Sequence, residues 1–250
     1  QSRSSAASDV YKRQMWSDKH WQMIAKAMEL IGQTGSRVVY IPLICHTNYG
    51  NEQSMVRWIR RGDGRYDHDF SVMEKYLDIA QERMGRPKIV VFTAWECYLN
   101  PPKGPVVIDE KDSDYVKKEK SWAAARWELR EKGPEVTVLD PASGRTENIF
   151  LPRYETPDAK LLWQPVFDGL RSRMAKRGLE KTMMLGMASD HWPSKAEVQV
   201  LQELSGNLSW VCHTHGGPRV GQKMHGLADI GYICLLYTSD AADDLLCVDL

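Results

Sequence analysis

The chain repeats one pattern four times: an amphipathic helical stretch is followed by a short apolar run. Apolar residues return every three or four positions in the helical stretches, whereas the runs have the length of a buried strand. Strands that alternate with helices in this order form a parallel sheet covered by helices. The helix and strand pairs are predicted at 21–31 and 38–44, 70–84 and 88–94, 156–178 and 182–188, and from 194 onward with 209–213. The predicted fold class is therefore α/β.

Capping residues mark the starts of three of these helices. The marks are Ser71 with Glu74, Thr156 with Pro157, and Ser194 with Glu197. The first and third pairs have the spacing of a capping box, and the second combines an N-cap threonine with proline at the first helical position. Such signals place helix starts more firmly than periodicity does.

One long segment, about 98–156, does not follow the repeat. Residues 112–132 have the composition of a charged helix, and residues 135–152 predict a hairpin that turns at 140–144. Connections of this length are usually functional. We expect this insertion to lie over the carboxyl end of the sheet, where such folds bind ligands.

Two architectures share the alternating pattern, a (β/α)8 barrel and an open doubly wound sheet. The open sheet usually carries a glycine-rich turn such as GxGxxG after a strand, and the sequence has none. Instead, polar and aromatic residues follow the strands, as in barrel enzymes. We predict a partial (β/α)8 TIM-type barrel with a helix-plus-hairpin insertion after one strand. The open sheet is the alternative.

The two ends of the chain read as translated DNA adapters. Residues 4–14 match a transposase adapter used for sequencing libraries, and residues 234–243 match its reverse complement. Such segments are excluded from fold reasoning. We therefore predict an adapter-derived tail at 1–14, a partial barrel at 15–233 and a second adapter-derived tail at 234–250. The barrel portion is expected to be a metagenomic fragment that is inactive alone.

Composition excludes several functional classes. Outside the predicted tails, 30 basic and 28 acidic residues remain, and this balance argues against nucleic acid as a partner. Cys45, Cys97 and Cys212 lack the spacing of a disulfide framework or zinc knuckle. No run is long enough to span a membrane. We expect no cofactor and no metal, and the pattern carries no signal for oligomeric state.

Two carboxylates follow predicted strands. Glu96 lies between Trp95 and Tyr98, and a carboxyl beside an indole can be held protonated as a general acid. Asp190 follows the strand at 182–188 and could act as the second carboxylate. The alternatives are a salt-bridged Glu96 at the sheet edge and an Asp190 that caps backbone amides.

Histidines and aromatic residues cluster at the same strand ends. His213 and His215 have the HxH spacing that places both rings on one face of a strand, so a divalent metal is one alternative. Hydrogen bonding to a substrate is another, and aromatic rings at strand ends suit the apolar faces of sugars. The predicted substrate-binding residues are His46, Asn48, Trp95, Tyr98, His191, Trp192, His213 and His215.

Three segments, GNEQSMVRWIRRGDGRYDHDFSVMEKYLD, VTVLDPASGR and MLGMASDHWPSK, resemble uncharacterised bacterial proteins similar to glycoside hydrolase family 123. The resemblance implies a barrel and an adjacent Asp-Glu pair, in which Glu is the acid/base and Asp positions the acetamido group of an N-acetylgalactosaminide. Outside the predicted tails this pair occurs at Asp109-Glu110, which follows an apolar run. The resemblance also favours a periplasmic or secreted location.

We therefore expect a carbohydrate-active barrel that cleaves a glycosidic bond by carboxyl acid/base chemistry. Glu96 and Asp190 are the preferred catalytic residues, and Asp109 with Glu110 is the alternative pair. Two other functions stay open. One is a metal-dependent hydrolase that uses the HxH site, and the other is a non-catalytic carbohydrate-binding barrel.

Overall fold

A computed structural model describes residues 15–187, 191–214 and 219–235. The helices of this part are α1 (Asp18–Gln33), α2 (Ser71–Met84), α3 (Asp114–Glu128), α4 (Pro157–Lys176) and α5 (Lys195–Ser205). The strands are β1 (Val38–Pro42), β2 (Arg57–Arg60), β3 (Tyr66–Asp69), β4 (Ile89–Thr93), β5 (Glu135–Leu139), β6 (Thr146–Phe150), β7 (Met183–Met187), β8 (Trp210–Thr214), β9 (Lys223–Met224) and β10 (Ala228–Leu235). No helix in the described ranges is long and apolar enough to cross a membrane.

The main sheet has the order β1-β4-β7-β8-β10-β9. All neighbours pair in parallel except β10 and β9, which are antiparallel. A mixed α/β fold with a parallel sheet is therefore confirmed. The parallel strands β1, β4, β7, β8 and β10 follow one another in chain order, whereas the strand order of a doubly wound sheet reverses at a switch point. Within the described residues β1 and β9 are the edges, and closure into a barrel stays a prediction.

The strand β10 is an addition to the four predicted strands. Asp229 and Gly231 interrupt its apolar pattern, and both residue types are depleted in strands. The strand nevertheless pairs along β8, with Cys234 opposite His213 and Leu235 opposite Thr214. The predicted boundary at 233 therefore falls inside a strand, although the origin of the residues beyond it stays a prediction.

The two faces of the parallel sheet have different roles. One face packs under the helices and forms most of the core; it carries Val39, Ile41, Val90, Phe92, Leu185 and Trp210. The register places a second set on the opposite face, which we call the inner face. Its members are Tyr40, Val91, Thr93, Gly186, Val211 and His213.

The sheet is curved toward its inner face. Tyr40 on β1 and His213 on β8 are separated by two intervening strands, which is about 14 Å in a flat sheet. Their side chains still meet, with 3.1 Å between the Tyr40 hydroxyl and His213 Nε2. Curvature brings the two strands together over the inner face, as the wall of a barrel would.

A second sheet has the order β3-β2-β5-β6. Its β5–β6 hairpin confirms the predicted turn, where Gly144 has a φ of 71° and the Asp140 N–H donates to the Arg145 carbonyl. The sequence did not predict the β2–β3 hairpin, because arginines surround the apolar residues of β2. Trp58 of β2 is nevertheless fully buried.

The helix starts agree with the sequence signals in two of three cases. Ser194 and Glu197 form the predicted capping box at α5. Thr156 is the N-cap of α4, and Pro157 is its first residue. The predicted box at Ser71 is wrong. Ser71 is already helical, and its N–H donates to the carboxylate of Asp69 at 2.9 Å.

The insertion lies over the carboxyl end of the parallel sheet. The Cys45 N–H, after β1, donates to the Glu135 carbonyl at 2.7 Å. Trp122 of α3 contacts His191, which follows β7, with ring centroids 6.1 Å apart. The Tyr154 hydroxyl donates to the carbonyl of Ala94, which directly follows β4. Three strand exits therefore carry contacts to the insertion.

Candidate functional site

His213 lies on the inner face at the carboxyl end of β8 and is 5% exposed. Its Nδ1 is 3.0 Å from the Met187 carbonyl, which can only accept, so Nδ1 carries the proton. Nε2 then accepts from the Tyr40 hydroxyl at 3.1 Å. Burial lowers the pKa of His213, against opposing effects from Met187 and Glu96. The result is a neutral imidazole with a defined tautomer.

Tyr49 adds an exposed aromatic surface to this histidine. Its hydroxyl lies 3.3 Å from His213 Nδ1, and its ring centroid is 5.3 Å from that of Tyr40. The Tyr49 side chain is 41% exposed. The two tyrosines and the imidazole therefore form an aromatic, hydrogen-bonding wall that solvent or a ligand reaches from the side of Tyr49.

Glu96 joins two of the strand exits and is 1% exposed. Its Oε1 accepts from the N–H of Cys97, and its Oε2 accepts from the N–H of Asn48, each at 2.8 Å. A general acid must donate from one of these oxygens, whereas here both accept from the main chain. In this conformation Glu96 positions the loop that carries Tyr49.

Thr93 contributes a buried hydroxyl to the inner face. The residue is fully buried, and its Oγ1 has no hydrogen-bond partner among the described residues. An unsatisfied buried hydroxyl costs about 1–3 kcal/mol. It lies in register with Gly186, and Cγ1 of Val91 occupies the space that a side chain at Gly186 would need. A bound hydroxyl group or water at this position would satisfy it.

Trp95 and Tyr98 form hydrogen bonds to other parts of the protein. Trp95 is fully buried, and its indole N–H donates to Glu197 Oε1 at 3.2 Å. The expected sugar-stacking role for Trp95 is corrected, because no face of the ring is open. The Tyr98 hydroxyl accepts from the Glu135 N–H, and burial raises the pKa of Tyr98.

His46 and Glu135 are in contact at the same sheet edge. His46 Nε2 lies 3.2 Å from Glu135 Oε2, with 53% and 16% of the side chains exposed. Burial raises the pKa of Glu135, and His46 opposes this. Sequence reasoning missed Glu135, which looks like an ordinary first residue of a hairpin strand. Asn48 is exposed and contributes its main-chain N–H to Glu96.

Asp109 and Glu110 lie in an exposed turn before α3. Asp109 Oδ1 accepts from the Lys111 N–H, and the Asp109 N–H donates to Asp112, each at 2.8 Å. The apolar run before them does not form a strand, so they are not a strand-end pair. Glycine and proline at 104–105 interrupt that apolar run.

Some of the remaining predicted residues lie in the described ranges and others lie outside them. His191 is exposed beside Trp122, while Trp192 is half-buried with its ring 5.8 Å from that of His225. Asp190 and His215 lie outside the described residues. Within residues 15–187, 191–214 and 219–235, no group of three or more His, Cys, Asp or Glu side chains could hold a metal ion.

Comparisons with known proteins agree on one family. No curated protein is significantly similar in sequence. A solved family 123 glycoside hydrolase from Clostridium perfringens, described for glycolipid glycan hydrolysis, has the same fold with a TM-score of 0.51 at 12% identity. The match covers 81% of this chain and 31% of that enzyme. The model of the glycoside hydrolase 123 catalytic domain matches residues 2–209. The chain therefore belongs to the glycoside hydrolase 123 family.

Proposed function

We propose that this chain carries part of the active site of a glycosidase that binds its glycan on the inner face, at the carboxyl end of the parallel sheet. The observation that carries the proposal is the neutral His213 held between Tyr40 and the Met187 carbonyl, beside the exposed ring of Tyr49. Aromatic faces and fixed hydrogen-bonding groups are what sugar rings require. The unpartnered hydroxyl of Thr93 supports a polar ligand at the same face.

The sheet is proposed to be one part of a (β/α)8 barrel. Its parallel strands follow one another in a single direction, and contact between Tyr40 and His213 requires strong curvature. Barrel enzymes draw their active sites from the carboxyl ends of several strands. The chain spans 31% of the solved relative's length.

For catalysis we propose Glu96 as the acid/base and Asp190 as its partner. Glu96 would give its proton to the glycosidic oxygen as the bond from that oxygen to the anomeric carbon breaks, and water would then complete the hydrolysis. Asp190 would stabilise the anomeric centre from the other side or position the substrate. Proton donation requires that Glu96 Oε2 release the Asn48 N–H, which makes movement of the loop after β1 part of the proposal.

The test compares Glu96→Gln on two substrates in the complete gene product. An aryl glycoside with a good leaving group, such as dinitrophenolate, departs without protonation, whereas an alkyl glycoside needs the acid. We expect the variant to lose at least about 100-fold in kcat/KM on the alkyl glycoside and to keep activity on the aryl one. Equal loss on both substrates would assign Glu96 to loop positioning. Unchanged turnover on both would remove it from the site.

A non-catalytic carbohydrate-binding role is the second candidate, because both oxygens of Glu96 accept main-chain hydrogen bonds. Asp109 and Glu110 lie in an exposed turn, and this also favours a non-catalytic role. In that case the complete protein would bind glycans without hydrolysing any aryl glycoside. Turnover that falls in a Tyr40→Phe variant, with the fold intact, would rule out this reading.

A further inference from the structure

A cavity of about 250 Å³ lies between the start of α1 and the loop after β1. Aromatic and polar side chains share its walls, among them Trp16, His20, Tyr49, Gln53 and Met55. We propose that this cavity binds a single sugar ring and is a second carbohydrate subsite beside the inner face. The assignment of a sugar rests on the proposed glycosidase function, but none of the proposed catalytic residues takes part.

The size of the cavity restricts the ligand. Pockets for drug-sized molecules begin at about 300 Å³, so a cavity slightly below this suits one ring and its substituents. Trp16 and Tyr49 present aromatic surface, while Gln53 and His20 place polar atoms beside it. A sugar ring has the matching character, with apolar C–H faces and a rim of hydroxyl groups.

His20 supplies a hydrogen-bond donor of defined tautomer. Its Nδ1 accepts from the main-chain N–H of Trp16 at 2.9 Å, so in the neutral ring Nε2 carries the proton. No hydrogen-bond partner of this Nε2–H is seen in the described part of the chain. Burial lowers the pKa of His20 and keeps the ring neutral. A sugar hydroxyl is an acceptor of the right kind for this group.

Trp16 lines the cavity and has a strained backbone conformation. Its φ of 61° is in the left-handed region, which costs a residue other than glycine about 1–3 kcal/mol. The indole N–H donates to Gln53 Oε1 at 2.7 Å, and the ring packs 5.2 Å from the ring of Trp21. Strain of this kind persists where the surroundings impose it, and ligand clamps are among the places where it clusters.

Tyr49 connects the cavity to the reaction site. One part of Tyr49 lines the cavity, and its hydroxyl lies 3.3 Å from His213 Nδ1. A ring bound against Trp16 would therefore be close to a sugar unit bound on the inner face. The geometry fits a neighbouring unit of the same glycan.

The test measures binding and needs no turnover. The whole chain is titrated with N-acetylgalactosamine and with galactose, and binding is followed by saturation-transfer NMR and calorimetry. We expect Trp16→Ala to weaken binding by about tenfold, as loss of a stacked ring does, and Trp16→Phe to restore part of it. The matched control is Trp122→Ala, because Trp122 is a partly exposed tryptophan outside the cavity and should leave the affinity unchanged.

Each result bears on one claim. Equal affinity in Trp16→Ala and the parent chain overturns the subsite, and so does a parent chain that binds neither sugar. A loss of the same size in Trp122→Ala also overturns it, because the effect would then be general. Binding through Trp16 in a complete protein without turnover supports the subsite and overturns the glycosidase function. Turnover by the complete protein, together with a sugar affinity that Trp16→Ala leaves unchanged, supports the glycosidase function and overturns the subsite.

Discussion

Gly186 occupies the tightest position of the inner face, and we expect Gly186→Ala to destabilise the protein. A Cβ at this position would lie 2.1 Å from Cγ1 of Val91 and 3.7 Å from its Cβ. Contacts under 3.0 Å are essentially never seen for real Cβ atoms, so one strand must shift or Val91 must rotate. Val91 is fully buried and β-branched, which restricts its rotamers. Overpacking of this kind costs about 1–3 kcal/mol.

The free energy of unfolding can be measured by urea titration with circular dichroism as the signal. For a chain of this size a loss of about 1–3 kcal/mol lowers Tm by roughly 2–12 °C. Gly104→Ala is the control, since nothing described lies within 4 Å of its added Cβ. Val91→Ala removes the clashing methyl group, so the double variant should be more stable than the sum of the single changes by about 1–3 kcal/mol.

The reasoning fails if Gly186→Ala unfolds at the urea concentration of the parent chain. It also fails if the two changes are additive within about 0.5 kcal/mol, because the contact with Val91 would then not be the cause. Either result would mean that the inner face is looser than the structure shows. The curvature that brings Tyr40 to His213 would lose its support as well.

Three further predictions concern buried groups. Burial lowers the pKa of His68 from 6.5 to about 4, so between these pH values the unfolded chain binds more protons than the folded chain and the folded state loses stability as pH falls. We expect His68→Phe to remove about 3 kcal/mol of the loss in unfolding free energy between pH 7 and 4, as measured by urea titration. Glu197→Ala should cost about 3 kcal/mol in the same assay, because it removes the Glu197 half of the capping box of α5, the buried carboxylate partner of Arg153 and the acceptor of the Trp95 indole; a loss under about 1 kcal/mol would contradict this. Burial raises the pKa of Cys45 to about 11 and of Cys212 to about 12, so neither should react with iodoacetamide at pH 8 until the protein is unfolded, and peptide mass mapping would reveal rapid native labelling.

The strands β1, β4, β7 and β8 could be predicted because each is a continuous apolar run. Strands buried on both faces carry their signal locally and need no knowledge of their neighbours. The strands β2 and β3 lack this signal. They contain arginine, aspartate and histidine around one buried tryptophan, and β2 pairs with β3 and also with β5, which lies far along the chain.

Some residues of the candidate site could likewise be predicted from the sequence, and others could not. His213 could be proposed because it ends an apolar strand, and Glu96 because it directly follows one. The partners of these residues could not be proposed. Tyr40 reads as one residue of a buried run, and Trp16 precedes a helix with no sign of a cavity beside it. Trp95 was predicted to bind substrate, yet it is fully buried against Glu197.

The sequence by itself determined the α/β alternation, the position of the insertion, the helix caps at Thr156 and Ser194 and the residues that end the strands. These depend on periodicity and on capping chemistry, which act over a few residues. Only the tertiary structure decided which side chains meet. Strand order and sheet curvature set distances between residues far apart in the chain. They alone bring Tyr40 against His213, Trp95 against Glu197, and the loop of Tyr49 against Trp16.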